Sequence, residues 1–345
     1  MITPTQPFAI ITAALAVLAA QPDSGVPVRD LGVLPGATFS QAIAINDHGE
    51  IAGSSGQQEG FAQHAAVWRD GQWTDLGTLP NHTYSHALGI NAHGDVVGIS
   101  RATIQETHGV LWHLGQAVDL GTLPGGLYSS ADAINDKGQI AGLATTAEGQ
   151  VHLVRWDGLQ IEDLGSLPGG EDGFVTGINN RGAIVGYVDS AAGTRGFVWR
   201  EGVFTTLPPL AGTLSQAMDI NSHGWVAGYS STSTGEAHAT LWRGDATIDL
   251  GALPGAAFSI ATAINDRGQV VGWGYNAAFE PRAILWDDGR IIDLGTLPGG
   301  TVSFAMDIND RGAIAGFSNG DAFPTSVHGA LWNEKVRGPK LRLRW

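Results

Sequence analysis

A unit of roughly 44 residues recurs seven times along the chain, and this period limits the possible folds more than any other property of the sequence. The phrase Asn-x-x-Gly-x-(Ile/Val)-(Ala/Val)-Gly begins at Asn46, Asn91, Asn135, Asn179, Asn221, Asn265 and Asn309, with spacings of 45, 44, 44, 42, 44 and 44. A tryptophan keeps step at positions 68, 112, 156, 199, 242, 286 and 332. A third landmark, Asp-Leu-Gly-x-Leu-Pro, starts at Asp30, Asp75, Asp119, Asp163, Asp249 and Asp293, and has decayed to Thr206-Leu207-Pro208-Pro209-Leu210 in the fifth occurrence. Three landmarks sharing one period define a repeat architecture.

Each unit parses into four short extended segments. Ser303 to Asn309 is one example of the first. A tight turn follows, Asn309-Asp310-Arg311-Gly312, in which Asn suits the start of a type I turn and Gly supplies the positive φ that closes a bulged hairpin. The second segment is Ala313 to Ser318, and a longer, variable loop separates it from the third, His328 to Trp332. Another tight turn, as in Asp287-Asp288-Gly289, leads into a fourth segment ending at Asp-Leu-Gly. No stretch after residue 25 shows a 3.6-residue period, so the domain reads as all-β.

Four antiparallel strands in about 44 residues is the size of a propeller blade. Stacked blades bury both faces of each strand, which explains apolar runs such as Ile-Ala-Gly in place of strict alternation. Small residues at Ala42, Ala87, Ala131, Ala217, Ala261 and Ala305 suit a crowded inner strand, and the tryptophans suit the wider space between blades farther out. The chain opens with a fourth-strand segment, Val28 to Gly32, and ends its repeats on a third strand at Trp332. The expected fold is therefore an all-β, seven-bladed β-propeller of four-stranded antiparallel blades, closed by the N-terminal strand completing the last blade. An open solenoid is the alternative, but it would need capping elements that the sequence lacks.

The units resemble the HAF-repeat family of extracellular bacterial proteins. The resemblance lies in His64-Ala65-Ala66-Val67-Trp68, in His238-Ala239-Thr240-Leu241-Trp242, and in the repeated Asp-Leu-Gly-Thr-Leu-Pro-Gly-Gly and Ile-Asn-Asp-x-Gly-x-Ile-Ala-Gly phrases; it spans about residues 26–334. It implies a repeat β fold and an extracytoplasmic location, and it brings no activity with it. Val336 to Trp345 depart from the pattern.

Composition narrows the function. Cysteine is absent, which excludes disulfides, Cys-ligated metals and thiol catalysis. Net charge is −15, and the final eleven residues hold Lys335, Arg337, Lys340, Arg342 and Arg344, so the preceding chain is more acidic still. Such a surface repels nucleic acid and tolerates cations or neutral ligands such as sugars. Residues 8–20, FAIITAALAVLAA, are too short to span a bilayer and match the core of a signal peptide, with Val17/Ala19 or Leu18/Ala20 as the small pair before cleavage. The expected layout is a signal peptide at 1–20, a linker at 21–25, the propeller at 26–334 and a disordered basic tail at 335–345. The protein is expected to be a secreted or periplasmic monomer without a membrane span.

Candidate site residues follow from the repeat geometry. The Asn-Asp-x-Gly turns lack the acid spacing of a calcium loop and are read as hairpin turns, so no metal or cofactor is expected. The recurring Asp of Asp-Leu-Gly is read as accepting backbone N–H groups at its turn. His64, His108, His152, Arg195, His238, Arg282 and His328 start the third strands and could form a polar collar; the plainer reading is a bond to a loop carbonyl or to the neighbouring blade's Asp. The rim where first strands begin carries Ser40, Ser85, Ser129, Gly173, Ser215, Ser259 and Ser303, beside Phe39, Tyr84, Tyr128 and Phe258. The units are least regular at His82-Thr83-Tyr84-Ser85-His86 and at Glu171-Asp172-Gly173-Phe174. The expected function is binding or scaffolding, with a glycan, peptide or protein held at the axial rim by Tyr/Phe stacking and Ser/His hydrogen bonds. Two rivals stand beside it: an axial lyase or hydrolase using Glu171, Asp172, His82 and His86 for proton transfer, and a purely structural surface protein.

Overall fold

The computed structural model describes residues 25–57, 63–103, 106–167, 173–191, 193–320 and 323–332. The expected signal peptide, most of the linker and the basic tail lie outside them, as do Glu171 and Asp172. The described residues contain strands and turns and no helix, so no helix there is long and apolar enough to cross a membrane.

Among the described residues, twenty-eight strands form seven four-stranded antiparallel sheets. Blade 1 runs through Phe39–Ile45, Ile51–Gly56, Gln63–Arg69 and Gln72–Gly77 in spatial order. The first strands of blades 2 to 7 are Tyr84–Ile90, Ser129–Ile134, Gly173–Ile178, Ser215–Ile220, Ser259–Ile264 and Ser303–Ile308. Consecutive first strands touch in cyclic order, and the seventh touches the first, so they enclose the axis. The fold is a closed seven-bladed β-propeller. Its seventh blade is completed by Val28–Asp30, which pairs with the last strand in the register Val28↔Trp332, Arg29↔Leu331 and Asp30↔Ala330.

A side-chain ring fastens one end of the axis. Each Asn of the Asn-x-x-Gly turn accepts, through Oδ1, the amides two and four residues later at 3.0–3.1 Å. Its Nδ2 donates to the backbone carbonyl of the equivalent Asn in the next blade at 2.9–3.4 Å, from Asn46 through Asn309 and back to Asn46. All seven asparagines are at most 5% exposed, so these bonds form away from water, where an unmade one is costly. The turn glycines have φ between +76° and +86°, as the bulged hairpin requires.

Each first strand carries a bulge that the sequence did not announce. Ala42 and Ala44 pair with Gly53 and Ala52, leaving Ile43 as the extra residue; the other extras are Leu88, Asp132, Thr176, Met218, Thr262 and Met306. The glycine ending Ile-Ala-Gly is required by this packing, because a Cβ at Gly53 would overlap the Gln41 carbonyl oxygen, and the same holds in every blade.

Apolar clusters bridge successive blades. Trp112 packs with Ala52, Val67 and Leu79 of blade 1, Trp286 with Ala227, Leu241 and Leu253 of blade 5, and Trp68 with Leu31, Ala315 and Leu331 of blade 7. The tryptophans thus fill the space toward the preceding blade, as expected. Leu31 ties the closing segment into this core, and the Gly32 carbonyl accepts from Ser40 Oγ (2.5 Å) and Trp73 Nε1 (3.0 Å).

A chain shortened to begin at Val33 loses this closure. Its Tm is expected to fall by about 10 °C or more in a calorimetric scan; an unchanged Tm would show that the first strand is dispensable.

Candidate functional site

The antiparallel order puts the Asn ring and the turns between third and fourth strands at one end of the axis. The loops entering first strands, and those joining second to third strands, lie at the other end, which carries the sequence irregularities.

The six serines at the first-strand entrances are fully buried. Their Oγ atoms accept an amide from the third strand of the preceding blade at 2.8–3.2 Å. Five also donate to the carbonyl eight residues earlier at 2.5–2.8 Å. Ser85 and Ser129 therefore act as clamps between blades, with both hydrogen-bonding roles taken up. The five third-strand histidines also have partners. Nδ1 of His64, His108, His152, His238 and His328 lies 2.8–3.0 Å from Asp75, Asp119, Asp163, Asp249 and Asp30. That Asp belongs to the same sheet, in place of the neighbouring blade's Asp or the loop carbonyl that the sequence suggested. The same carboxylates accept the amide of the Gly two residues on, as expected. Where the Asp has decayed in blade 4, Arg195 donates to the Thr213 and Thr194 carbonyls. Arg282 pairs with Glu280 at 2.9 Å.

A compact polar group joins blades 1 and 2. Gln63 Nε2 donates to Tyr84 Oη at 2.8 Å and lies 2.9 Å from His86 Nδ1. The Arg101 guanidinium sits 3.7 Å from the Tyr84 ring centroid. Burial, reinforced by Arg101, pulls His86 down to about 4, so it is neutral at pH 7. His82 stands apart from it, with Nδ1 3.1 Å from Ser100 Oγ and its ring 6.0 Å from His108. Phe39 and Tyr128 are half-buried at their strand entrances. Burial and the nearby Asp132 push the Tyr128 hydroxyl up to about 12.

A further departure from sevenfold symmetry lies one layer in. The residue after each Ile-Ala-Gly is Ser54, Ile99 and Leu143 in blades 1–3, but Tyr187, Tyr229, Trp273 and Phe317 in blades 4–7. Register sets these opposite Gln41, His86, Ser130, Phe174, Gln216, Ile260 and Phe304 of the first strands. Ring contacts link Phe258, Tyr275, Trp273, Phe304 and Phe317 at 5.0–5.9 Å. Tyr229 Oη donates to Gln216 Oε1. Tyr229 and Trp273 remain half-buried. One side of the axial end is thus aromatic, while the equivalent first-strand positions of blades 1–3 are Gln41 and the buried His86 and Ser130. Phe258 belongs to this aromatic side. The sequence reading passed over Tyr187, Tyr229 and Trp273, although large aromatics directly after a crowding glycine were the available signal.

Acids line the axis at three of the first strands. Asp132 accepts from Ser130 Oγ at 2.9 Å, and burial pushes its carboxyl up to about 7. Burial, with the Asp307 charge, raises Asp219 to about 7 although it accepts two amides; Asp307 rises to about 6 by burial. Asp219 accepts Ile264 N–H and Asp307 accepts Ile45 N–H, so each reaches the next blade. Among the described residues no three His, Asp or Glu side chains converge as a metal site.

No family model matches the sequence, and no curated protein matches it. Solved structures do. TolB from Acinetobacter baumannii is 13% identical with a TM-score of 0.50, the match covering 70% of this chain and 62% of that one. A puromycin-hydrolysing peptidase from Mycobacterium tuberculosis is 14% identical with a TM-score of 0.52, covering 74% of this chain and 44% of that one. A six-bladed lectin from Aleuria aurantia gives 11% identity and a TM-score of 0.42, covering 76% and 98%. At these identities the first two show the propeller fold alone.

The Asp132 carboxyl titrates higher in the folded chain than in the unfolded one. Its ionised form is therefore a penalty above pH 7 that fades as pH falls toward 4. Asp132→Asn is expected to raise Tm by about 2 °C or more at pH 8.5 and to leave it unchanged at pH 4. An equal gain at both values would mean that the carboxyl ionises normally.

Proposed function

We propose that the chain is an exported, monomeric binding propeller of the HAF-repeat type, which holds a neutral glycan at the aromatic-sided end of its axis. The observation behind this reading is the pair Tyr229 and Trp273, half-buried aromatics that keep some solvent exposure at a position where blades 1–3 need only Ser, Ile or Leu. The other units show that the fold does not require them. A sugar presents an apolar face of C–H bonds and a fringe of hydroxyls. Aromatic planes match the first, and Gln216, Gln41 and the Tyr229 hydroxyl match the second. The net charge of −15 favours a neutral ligand over a polyanion. The apolar stretch at residues 8–20 and the likeness to HAF repeats support export.

On an array of neutral and acidic glycans, the wild-type protein is expected to retain neutral structures. Trp273→Ala and Tyr229→Ala should each weaken retention by about tenfold, the scale of one lost aromatic stacking partner. Tyr84→Ala tests the blade 2 side of the same rim and should have the smaller effect. Unaltered binding by both blade 5 and blade 6 variants would place the ligand elsewhere.

A further inference from the structure

The loop joining second and third strands in blade 6, Asn276 to Glu280, repeats the Asn-x-x-Gly turn with one substitution. Asn276 N–H donates to the Glu280 carbonyl and Phe279 N–H to the Asn276 carbonyl, both at 3.0 Å. Asn276 Oδ1 accepts the amides of Ala278 and Glu280 at 2.9 and 3.0 Å. Blades 3 and 5 build the same backbone turn from Thr146 and Thr232, and their left-handed position is Gly149 (φ +78°) or Gly235 (φ +88°). In blade 6 that position is Phe279, at φ +60°.

A bulky side chain in the left-handed region is strained. Burial does not compensate, because Phe279 is 84% exposed. Leu114 shares a positive φ and exposure, but its two-residue turn lies at the opposite end, where Asp70, Glu201 and Asp288 also take positive φ. At the Phe279 position the internal comparison is with glycine.

The turn is braced from below. Asn276 Nδ2 and Arg282 Nη2 both donate to Glu280 Oε2, at 2.8 and 2.9 Å. Arg282 is only 4% exposed, so this ion pair is largely screened from water. It also accounts for one of the two departures from histidine at the third-strand start. Ala277 lies against Gly255, on the loop that leads into Phe258. Tyr275, just before the turn, contacts Phe258 at 5.4 Å and Trp273 at 5.9 Å. Phe279 therefore sits on the hydrogen-bonded loop that leaves the aromatic wall at Tyr275, with its ring exposed to solvent.

The structure assigns Phe279 as a sugar-stacking residue: the left-handed turn, held by the Arg282–Glu280 pair, presents its ring to cover the outer face of a neutral oligosaccharide lying against Trp273 and Tyr229. This rests on the glycan reading above and adds a specific residue and its cost. Stability is given up locally so that an aromatic can stand where glycine would be more comfortable.

The test compares the full-length wild type with Phe279→Gly, Phe279→Trp and Trp273→Ala. Each is titrated with cellohexaose, chitohexaose, maltohexaose and mannohexaose, and each is melted by calorimetry. Phe279→Gly is expected to raise Tm by about 1–3 °C and to weaken binding by about fivefold or more, while Phe279→Trp keeps binding within about twofold. If Phe279→Gly leaves binding intact while Trp273→Ala abolishes it, Phe279 has no role and the axial reading survives. A fall in Tm for Phe279→Gly contradicts the strained-turn argument and overturns the assignment. Wild-type binding to none of the four oligosaccharides overturns both readings together.

Discussion

The buried amide of one asparagine per blade, donating to the backbone of the next turn, is the interaction on which the ring depends. Each Oδ1 fixes its own hairpin and each Nδ2 fixes the neighbour. An acceptor exists for every donor only if the last blade meets the first, as Asn309 meets Asn46 at 2.9 Å. An open array would leave that donor to water at one end and forgo the net gain of one cross-blade hydrogen bond, about 1 kcal/mol. It would also expose the edge that Val28–Asp30 now covers. Closure is therefore built into the repeat and completed by the terminal strand. The other cross-blade bonds reinforce it at different heights along the axis: serine clamps at the loop end, and Asp219, Asp307, Thr176 and Thr262 in the middle.

What the sequence disclosed was what lies within one blade. Strand count, the Asn/Gly turn, the Asp-Leu-Gly turn and the offset that demands a closing strand all leave local patterns with a fixed period. Contacts between blades leave no such pattern. Asn Nδ2 finds its partner 42 to 45 residues away in six cases and 263 in the seventh, so the amide ring could not be read from spacing. The entrance serines look polar and rim-like in sequence, yet they are sealed between sheets. The His–Asp pairs cross adjacent strands of one sheet, a relation that depends on register. The first-strand bulges likewise depend on how the strands meet at the axis.

A division of labour runs along the axis. The Asn-ring end keeps its asparagine and glycine in all seven units. The opposite end varies, at the entrance to blade 2 and, directly after the crowding glycine, in blades 4 to 7. There Tyr187, Tyr229, Trp273 and Phe317 replace smaller residues without disturbing the register. A closed scaffold tolerates such changes because each blade is held from both sides. The same tolerance accommodates half-buried carboxyls of raised pKa at Asp132, Asp219 and Asp307, and a phenylalanine in a glycine turn.

Native-state hydrogen exchange under rising denaturant addresses the closed ring most directly. The amides that Asn Oδ1 holds, at residues such as Glu50, Gln139 and Ala313, sit in every blade. If closure governs stability, their protection should be lost together, at a single opening free energy common to all seven turns. Protection that is greatest in blade 4 and declines stepwise toward blades 1 and 7 would mark a linear stack with fraying ends, and would contradict the account.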